Sequence, residues 1–398
     1  MTPPIIQPNL NPSIRRPAVA FVINSLTAGG AERALVTLLG ALAPHLERFE
    51  THLILLDDER ELHTVPSYVV KHVLHCQGSL LKSAWRLSFK LAQLRPEVTL
   101  SFINRSNYAN VIASRLTSGP SVISQRNHTS KYFPRTIRGS FHRWLVRVLY
   151  PLADATVAVS DGVATDLIRH FGVDPSKVTV IHNVSDVEEI TRQSLADPPI
   201  ALPPHYFVAM GTLIESKGFD LLIRAFKAYG GDQDLILLGE GPERPRLAAL
   251  VAELGLAGRV LMPGHLLNPY PILKRADALI SASFTEGYPN VLVEALALGC
   301  PVVSTDCPAG PSEILNGTAR DRSPTFGEFG LLVPAGDEKS LCEAMRLIAD
   351  NQVAKPYSEA GPERASQLGR SALEDYWVVL SATFRNARRG EEYVPKSA

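Results

Sequence analysis

From residue 17 to residue 306 the chain repeats one alternation: a short run rich in apolar residues, then a longer stretch whose apolar positions recur three and four apart. AVAFVINSL (18–26), THLILLD (51–57), VTLSFI (98–103), SVISQ (121–125), ATVAVS (155–160) and VTVIHN (178–183) are the runs of the first half. FVAMG (207–211), LILLG (235–239), RVLMPGH (259–265), DALISAS (277–283) and PVVSTD (301–306) are those of the second. A strand buried on both faces loses the polar alternate positions of a half-exposed one, and strands alternating with helices build a parallel sheet covered on both sides. The pattern therefore predicts an α/β chain of two doubly wound parallel-sheet domains. SLADPPIALPPHY (194–206) parts the halves, and its four prolines, which sustain neither helix nor sheet, mark a linker. The expected division is a disordered leader at 1–16, a first domain at 17–193, the linker at 194–206, a second domain at 207–369 and a last helical segment at 370–398 carrying Trp377 and Phe384.

Two strand-to-helix turns carry candidate chemistry. In SFTEGYPNVLVEALALG (283–299) a loop holding Glu286 follows a strand, Gly287 and Pro289 turn the chain, and apolar residues at helical spacing begin at Val291. Amides around Asn290 and Val291 then open a helix, where free donors and the positive end of the dipole suit a phosphate. Glu294, a turn further in, reaches the same cleft. A carboxylate beside a phosphate site repels the phosphate and is better matched to hydroxyls, which sugars and riboses supply. The second turn is TAGGAER (27–33), where Gly29 and Gly30 let a bound group approach the backbone after the first strand.

The run FTEGYPNVLVEALALGCPVVSTDCPAGPSEIL (284–315) closely resembles the donor-site signature of retaining glycosyltransferases of family 4, and GGAER after the first strand resembles the same enzymes. The resemblance implies the GT-B architecture, two Rossmann-like domains facing across a cleft, with a nucleotide sugar, UDP-linked, in the second and an acceptor in the first. It assigns Glu286, with Gly287, Tyr288, Asn290, Val291 and Glu294, to the donor pocket. Gly211, Thr212, Lys217 and Gly218 resemble the family's GRLxxxKGF, whose Arg and Lys grip the donor diphosphate; here Thr212 stands at the Arg position, which leaves more of the phosphate load to Lys217 and the loop amides. Gly239 and Gly241 leave room near the nucleotide in the family, and His265 is the base-edge candidate. His128, just past a strand end, falls near a family cleft histidine and is the catalytic candidate beside Glu286, while Arg126 is a candidate for an acceptor phosphate. Glu313 reads as a helix N-terminal acid and nothing more. No DxD pair suited to a metal diphosphate occurs, so no metal and no cofactor is expected, the nucleotide sugar being a co-substrate.

Forty Lys and Arg balance forty Asp and Glu over 398 residues, but residues 76–150 hold twelve basic residues against one acid, Glu97. Residues 80–95 space Lys82, Arg86 and Lys90 on one stripe, and residues 131–150 interleave Arg135, Arg138, Arg143 and Arg147 with Tyr132, Phe133, Phe141, Trp144 and Tyr150. Basic amphipathic helices with aromatics suit an anionic membrane surface. The neutral total and the lack of a recognisable module argue against nucleic acid. The four cysteines show no CxxC or metal-ligand spacing and read as reduced thiols, and no apolar run is long enough to span a bilayer. The expected protein is a cytoplasmic, peripherally membrane-associated transferase acting on a lipid-linked, lipopolysaccharide or polysaccharide acceptor. A nucleotide-sugar epimerase of the same architecture and a catalytically silent membrane scaffold are the alternatives.

Overall fold

The computed structural model of the chain describes residues 16–27, 29–319 and 322–389, so the leader expected at 1–16 and the tail beyond 389 lie almost wholly outside the described residues. Seven parallel strands form the first sheet: β1 (Ala18–Ile23), β2 (Glu50–Leu55), β3 (Val69–Val73), β4 (Val98–Phe102), β5 (Ser121–Gln125), β6 (Ala155–Ala158) and β7 (Val178–Val180), in the order β3-β2-β1-β4-β5-β6-β7. Seven more form the second: β8 (Tyr206–Met210), β9 (Asp234–Leu238), β10 (Val260–Gly264), β11 (Ala278–Ser281), β12 (Val302–Asp306), β13 (Thr325–Phe326) and β14 (Leu331–Pro334), in the order β10-β9-β8-β11-β12-β14-β13. All pairs are parallel except the antiparallel β13 and β14. Both sheets reverse strand order beside their first strand, the switch point at which open α/β sheets leave a crevice at the carboxyl ends.

The helices that matter for the site are α1 (Gly30–Leu46), α2 (Leu80–Leu94), α3 (Asn104–Thr117), α4 (Ile137–Leu149), α5 (Asp161–Phe171), α6 (Asn290–Ala297) and α7 (Asn351–Arg389). The paired doubly wound sheets are as the apolar runs predict. Every residue of β1 and β4 is buried: β1 is apolar throughout, and the polar positions of β4, Thr99 and Ser101, lie inside as well. β3 escapes the sequence reading because VVKHV sits at a sheet edge and leaves Val70 and Lys71 exposed.

The last helix differs from the segment expected at 370–398: α7 begins at Asn351, is continuous over 39 residues and includes Pro356 and Pro362. Interior prolines remove backbone hydrogen bonds and normally signal a break. Here the helix is held along both domains. Ala365 and Leu368 join an apolar cluster with Leu292 and Leu296 of α6, whereas Ala372, Tyr376, Val379 and Leu380 pack among Phe21, Phe102 and Val157 of the first sheet. The first of these clusters also takes in Tyr150 and Val163 of the first domain, so apolar packing is continuous between the two sheets. All four cysteines are free and buried, and no helix among the described residues is long and apolar enough to cross a membrane.

Candidate active site

Between the carboxyl ends of the sheets lies a cleft of about 2580 Å³, lined on one side by Gly29, Gly30, Glu32, Arg33, His63 and Arg126, and on the other by Gly211, Thr212, Lys217, Gly239, His265 and the segment from Glu286 to Val291 with Glu294. Glu286 sits where the loop after β11 meets α6. Glu286 Oε1 accepts from Lys217 Nζ at 2.6 Å and from Ser283 Oγ at 2.7 Å. Lys217 comes from the turn after β8, so this ion pair joins two motifs that are 69 residues apart in sequence. α6 opens at Asn290 behind Pro289 with no side chain capping its first turn, leaving that end to a ligand or solvent. Glu294 is 3% exposed at its side chain, and its Oε2 has no hydrogen-bond partner among the described residues.

The glycines of the motif serve packing. A Cβ on Gly287 would meet Arg126 O at 2.1 Å, because the donor loop lies against the loop after β5 of the other domain. A Cβ on Gly239, whose φ is +144°, would meet Gly211 O at 1.9 Å. Room beside the nucleotide, the role suggested for Gly239 and Gly241, is therefore secondary to room for a neighbouring strand end: Gly241 faces Leu213 O in the same way. Tyr288, assigned to the donor pocket, stacks its buried ring on His182 at 4.8 Å and belongs to the packing between domains.

Two first-domain candidates are placed differently from expectation. Arg126 lines the cleft, yet its guanidinium donates to Tyr376 Oη at 2.9 Å and to Asn183 Oδ1, and lies 5.0 Å from the Phe102 ring centroid. Asn183 Nδ2 in turn donates to Asn290 Oδ1. Arg126 is thus a brace from α7 to the start of α6, already bonded where an acceptor phosphate was expected. The ring of His128 does not line the cleft: its Nδ1 is 3.6 Å from the buried Asp166, and it is its amide that meets the site, donating to Glu286 O at 3.3 Å.

Glu313 does more than open a helix. Its carboxylate accepts from the amides of Asp161 at 2.8 Å and Gly162 at 3.0 Å, capping α5 from the opposite domain. Burial alone would raise its pKa, but His182 and these two amides carry it below the ordinary value of 4.5. A carboxyl lowered on folding stabilises above its unfolded pKa and loses that contribution as pH falls through the folded one. Asp161 runs the other way, raised by burial and then by Glu313, so only a difference between variants isolates the cap. Glu313→Gln is expected to cost about 1–2 kcal/mol at pH 7, as removal of a helix cap does, with the gap to the unmodified protein closing below pH 4 in paired melting curves.

On the first-domain side the carboxylate of Glu32 folds over Gly29, where an added Cβ would lie 1.9 Å from Oε2. Burial, partly offset by its own backbone bond, raises the Glu32 pKa, and Glu59 adds to it. Ser25 Oγ donates to Glu59 Oε2 at 2.9 Å. Burial, and then nearby Arg33, hold His63 below its ordinary value, and its Nε2 has no hydrogen-bond partner among the described residues. Arg33 crosses the cleft to donate to Glu294 Oε1 at 2.6 Å and to Tyr270 Oη at 2.5 Å. Sequence reasoning noted GGAER but missed Glu32, Arg33, His63 and Asn183 as site residues, because nothing local to those positions shows what they face.

Sequence models of two families match: the one described as Glycosyltransferase Family 4 over residues 28–189, and the one described as Glycosyl transferases group 1 over residues 204–351. A Campylobacter jejuni N-acetylgalactosamine-N,N'-diacetylbacillosaminyl-diphospho-undecaprenol 4-alpha-N-acetylgalactosaminyltransferase is 32% identical over 377 residues, covering 89% of this chain and 98% of that relative. The chain is a family 4 glycosyltransferase of the GT-B fold. It is of the hexosyltransferase class. A lipopolysaccharide core biosynthesis glycosyltransferase of Rhizobium meliloti is 34% identical over 210 residues, 52% of this chain and 57% of that one. Among solved structures, Anabaena HepE in complex with UDP and glucose superposes with a TM-score of 0.71 at 21% identity, covering 92% of this chain and 99% of that one. The sucrose-phosphate synthase of Thermosynechococcus elongatus gives 0.76 at 18%, covering 94% and 100%.

Proposed function

We propose that this family 4 enzyme transfers a sugar, with retention of anomeric configuration, from a UDP-sugar to a lipid-linked or lipopolysaccharide-type acceptor presented at the cytoplasmic face of a membrane. The observation that carries the reading is the meeting of Glu286, Lys217 and the uncapped start of α6 in one cleft, with Glu294 a turn behind. In this scheme Glu286 accepts hydroxyls of the donor sugar, the α6 amides and Lys217 receive the departing diphosphate, and Glu294 takes the ribose hydroxyls. These groups supply diphosphate charge stabilisation of the kind that preorganised donors give a developing anion, without calling on a metal. The acceptor oxygen attacks from the face that the diphosphate leaves, and the departing phosphate takes its proton. The Campylobacter and Rhizobium relatives, named for a polyprenol-linked and a lipopolysaccharide acceptor, support the acceptor class.

Incubation with a panel of nucleotide sugars and short-chain polyprenyl-diphosphate glycans tests this reading. Transfer with an α-linked product from an α-linked UDP donor is expected. Donor conversion in the absence of acceptor would instead mark an epimerase, and absence of nucleotide binding a scaffold.

The membrane part of the proposal has its own support. α2 and α4 both pack beside α3 and expose apolar stripes: Leu81, Trp85 and Phe89 on α2, at 83%, 71% and 74% exposure, and Ile137, Phe141, Trp144 and Val148 on α4. Exposed Trp and Phe beside Lys82, Lys90, Arg135 and Arg138 fit an interfacial surface. Part of the expected basic stripe serves another purpose, since Arg86, Arg143 and Arg147 donate to the backbone carbonyls of Leu74, Phe133 and His170. The apolar residues should therefore matter more than the sequence pattern suggests. Serine at Trp85, Phe89 and Trp144 together is expected to abolish flotation with liposomes containing anionic lipid, while Lys82→Glu with Lys90→Glu reduces it mainly at low salt. Flotation unchanged by the triple variant would remove this surface from the proposal.

A further inference from the structure

The donor side of the cleft is short of positive charge. Among its described residues Lys217 is the one Lys or Arg that lines the cleft, and that ammonium already answers Glu286. A sugar nucleoside diphosphate brings two negative charges, and Thr212, exposed on the same wall, offers a hydroxyl alone. On the facing wall Arg105 is paired with Asp57, and Arg126 is fastened by Ser124, Tyr376 and Asn183. Arg33 is differently held.

α1 and α6 begin side by side. A Cβ on Gly30 would lie 3.9 Å from Asn290 Nδ2, and one turn along each helix Arg33 meets Glu294 at 2.6 Å. The two partners are unequal: the Arg33 side chain is 41% exposed, its guanidinium held by Glu294 and by Tyr270 Oη alone, whereas that of Glu294 is 3% exposed. Glu294 also keeps an unpartnered, buried Oε2 beside the oxygen that Arg33 occupies, so the carboxylate has capacity for a pair of donors. A cis-diol presents such a pair. From Glu294 the start of α6 is four residues back, about 6 Å of helix rise, within the span of an arginine side chain. A guanidinium displaced from a carboxylate finds in a phosphate another acceptor suited to its planar fork.

Resting on the donor assignment above, we infer that Arg33 is a second cation for the donor diphosphate, parked on Glu294 until ribose hydroxyls take that carboxylate and then turned onto the phosphates at the start of α6. Ribose recognition by the second domain and charge supply by the first become one event. Nucleotide binding then replaces a direct ion pair across the cleft with a bridge that runs through the ligand.

The test is calorimetric binding of UDP and of uridine to the full chain, in the unmodified protein and in Arg33→Ala, Arg33→Lys and Arg33→Ala with Thr212→Arg, each checked for an unchanged melting transition. Loss of the guanidinium is expected to weaken UDP about ten- to one-hundred-fold, the size of a charge-assisted interaction. Uridine, with no phosphate to hold and a carboxylate already vacated, is expected to bind as before or more tightly. Lysine at 33 should restore part of the UDP affinity, and arginine at 212 most of it. UDP binding that is unchanged or tighter in Arg33→Ala overturns the inference, because Arg33 then does no more than obstruct Glu294. Parallel losses for UDP and uridine overturn it too, because Arg33 then only orients that carboxylate. Failure of the unmodified protein to bind UDP, GDP or ADP would overturn the donor assignment itself, a result distinct from either.

Discussion

Glu286→Gln is expected to lower kcat by about two to three orders of magnitude while leaving nucleotide affinity within a few-fold, the signature of an interaction that strengthens in the transition state. The carboxylate accepts from Lys217 and Ser283 through one oxygen, which leaves the other for the sugar. Glutamine keeps the shape and one acceptor but loses the negative charge that a positively charged, oxocarbenium-like sugar would draw on as the glycosidic bond breaks. It also frees Lys217, whose ammonium would then face the diphosphate without a competing carboxylate, so UDP should bind as well as before or better. Opposite movements of kcat and of product affinity in one variant separate this account from simple damage to the pocket. Steady-state turnover with the preferred donor, alongside UDP titration, measures both. A fall in kcat under tenfold would remove Glu286 from the centre of the chemistry.

How much of this was legible in the sequence follows from how local each feature is. Most strands of both sheets stand out because parallel strands buried on both faces are rich in apolar residues, whereas β3, β13 and β14 at or near sheet edges do not, and Glu286, Asn290 and Glu294 fall within one short run. Lys217 was found through its own turn. The partners of these residues were not legible, because a salt bridge such as Arg33 to Glu294 spans 261 positions and has no periodicity. For the same reason Gly287 reads as a turn residue, although its lack of a Cβ is required by a backbone from the other domain. His128 and Arg126 lie beside the cleft as their positions after β5 suggest. The chain turns the His128 ring toward Asp166 and fastens Arg126 to α7, outcomes decided by tertiary neighbours. α7 starts well before the expected segment and runs through Pro356 and Pro362, because packing on two domains sustains a helix that the local effect of the prolines opposes.

That crossing helix is where the largest effect on stability is expected. Tyr376 is 2% exposed and stacks on Phe102 with centroids 6.4 Å apart. Its hydroxyl accepts from Arg126 at 2.9 Å, and Arg126 continues through Asn183 to Asn290 at the head of α6. Tyr376→Ala removes an aromatic ring from a cluster built on Phe21, Phe102 and Val157, and is expected to cost about 3–5 kcal/mol, as large-to-small changes at buried aromatics do. Tyr376→Phe keeps the ring and removes only one acceptor, a loss of about 1–3 kcal/mol if the guanidinium is left short of a partner. Because the ring packs on the first sheet, calorimetry should show the low-temperature part of the transition moving down in Tyr376→Ala while UDP still protects the second domain. The phenylalanine variant should lose less stability than the alanine variant but bind UDP more weakly than the unmodified chain, because the brace behind Asn290 is loosened. Equal stability of the alanine variant and the unmodified chain would show that α7 only rests on the first domain, and would shift the continuity of packing between the two sheets onto contacts such as Tyr288 on His182 and Glu313 on the α5 amides.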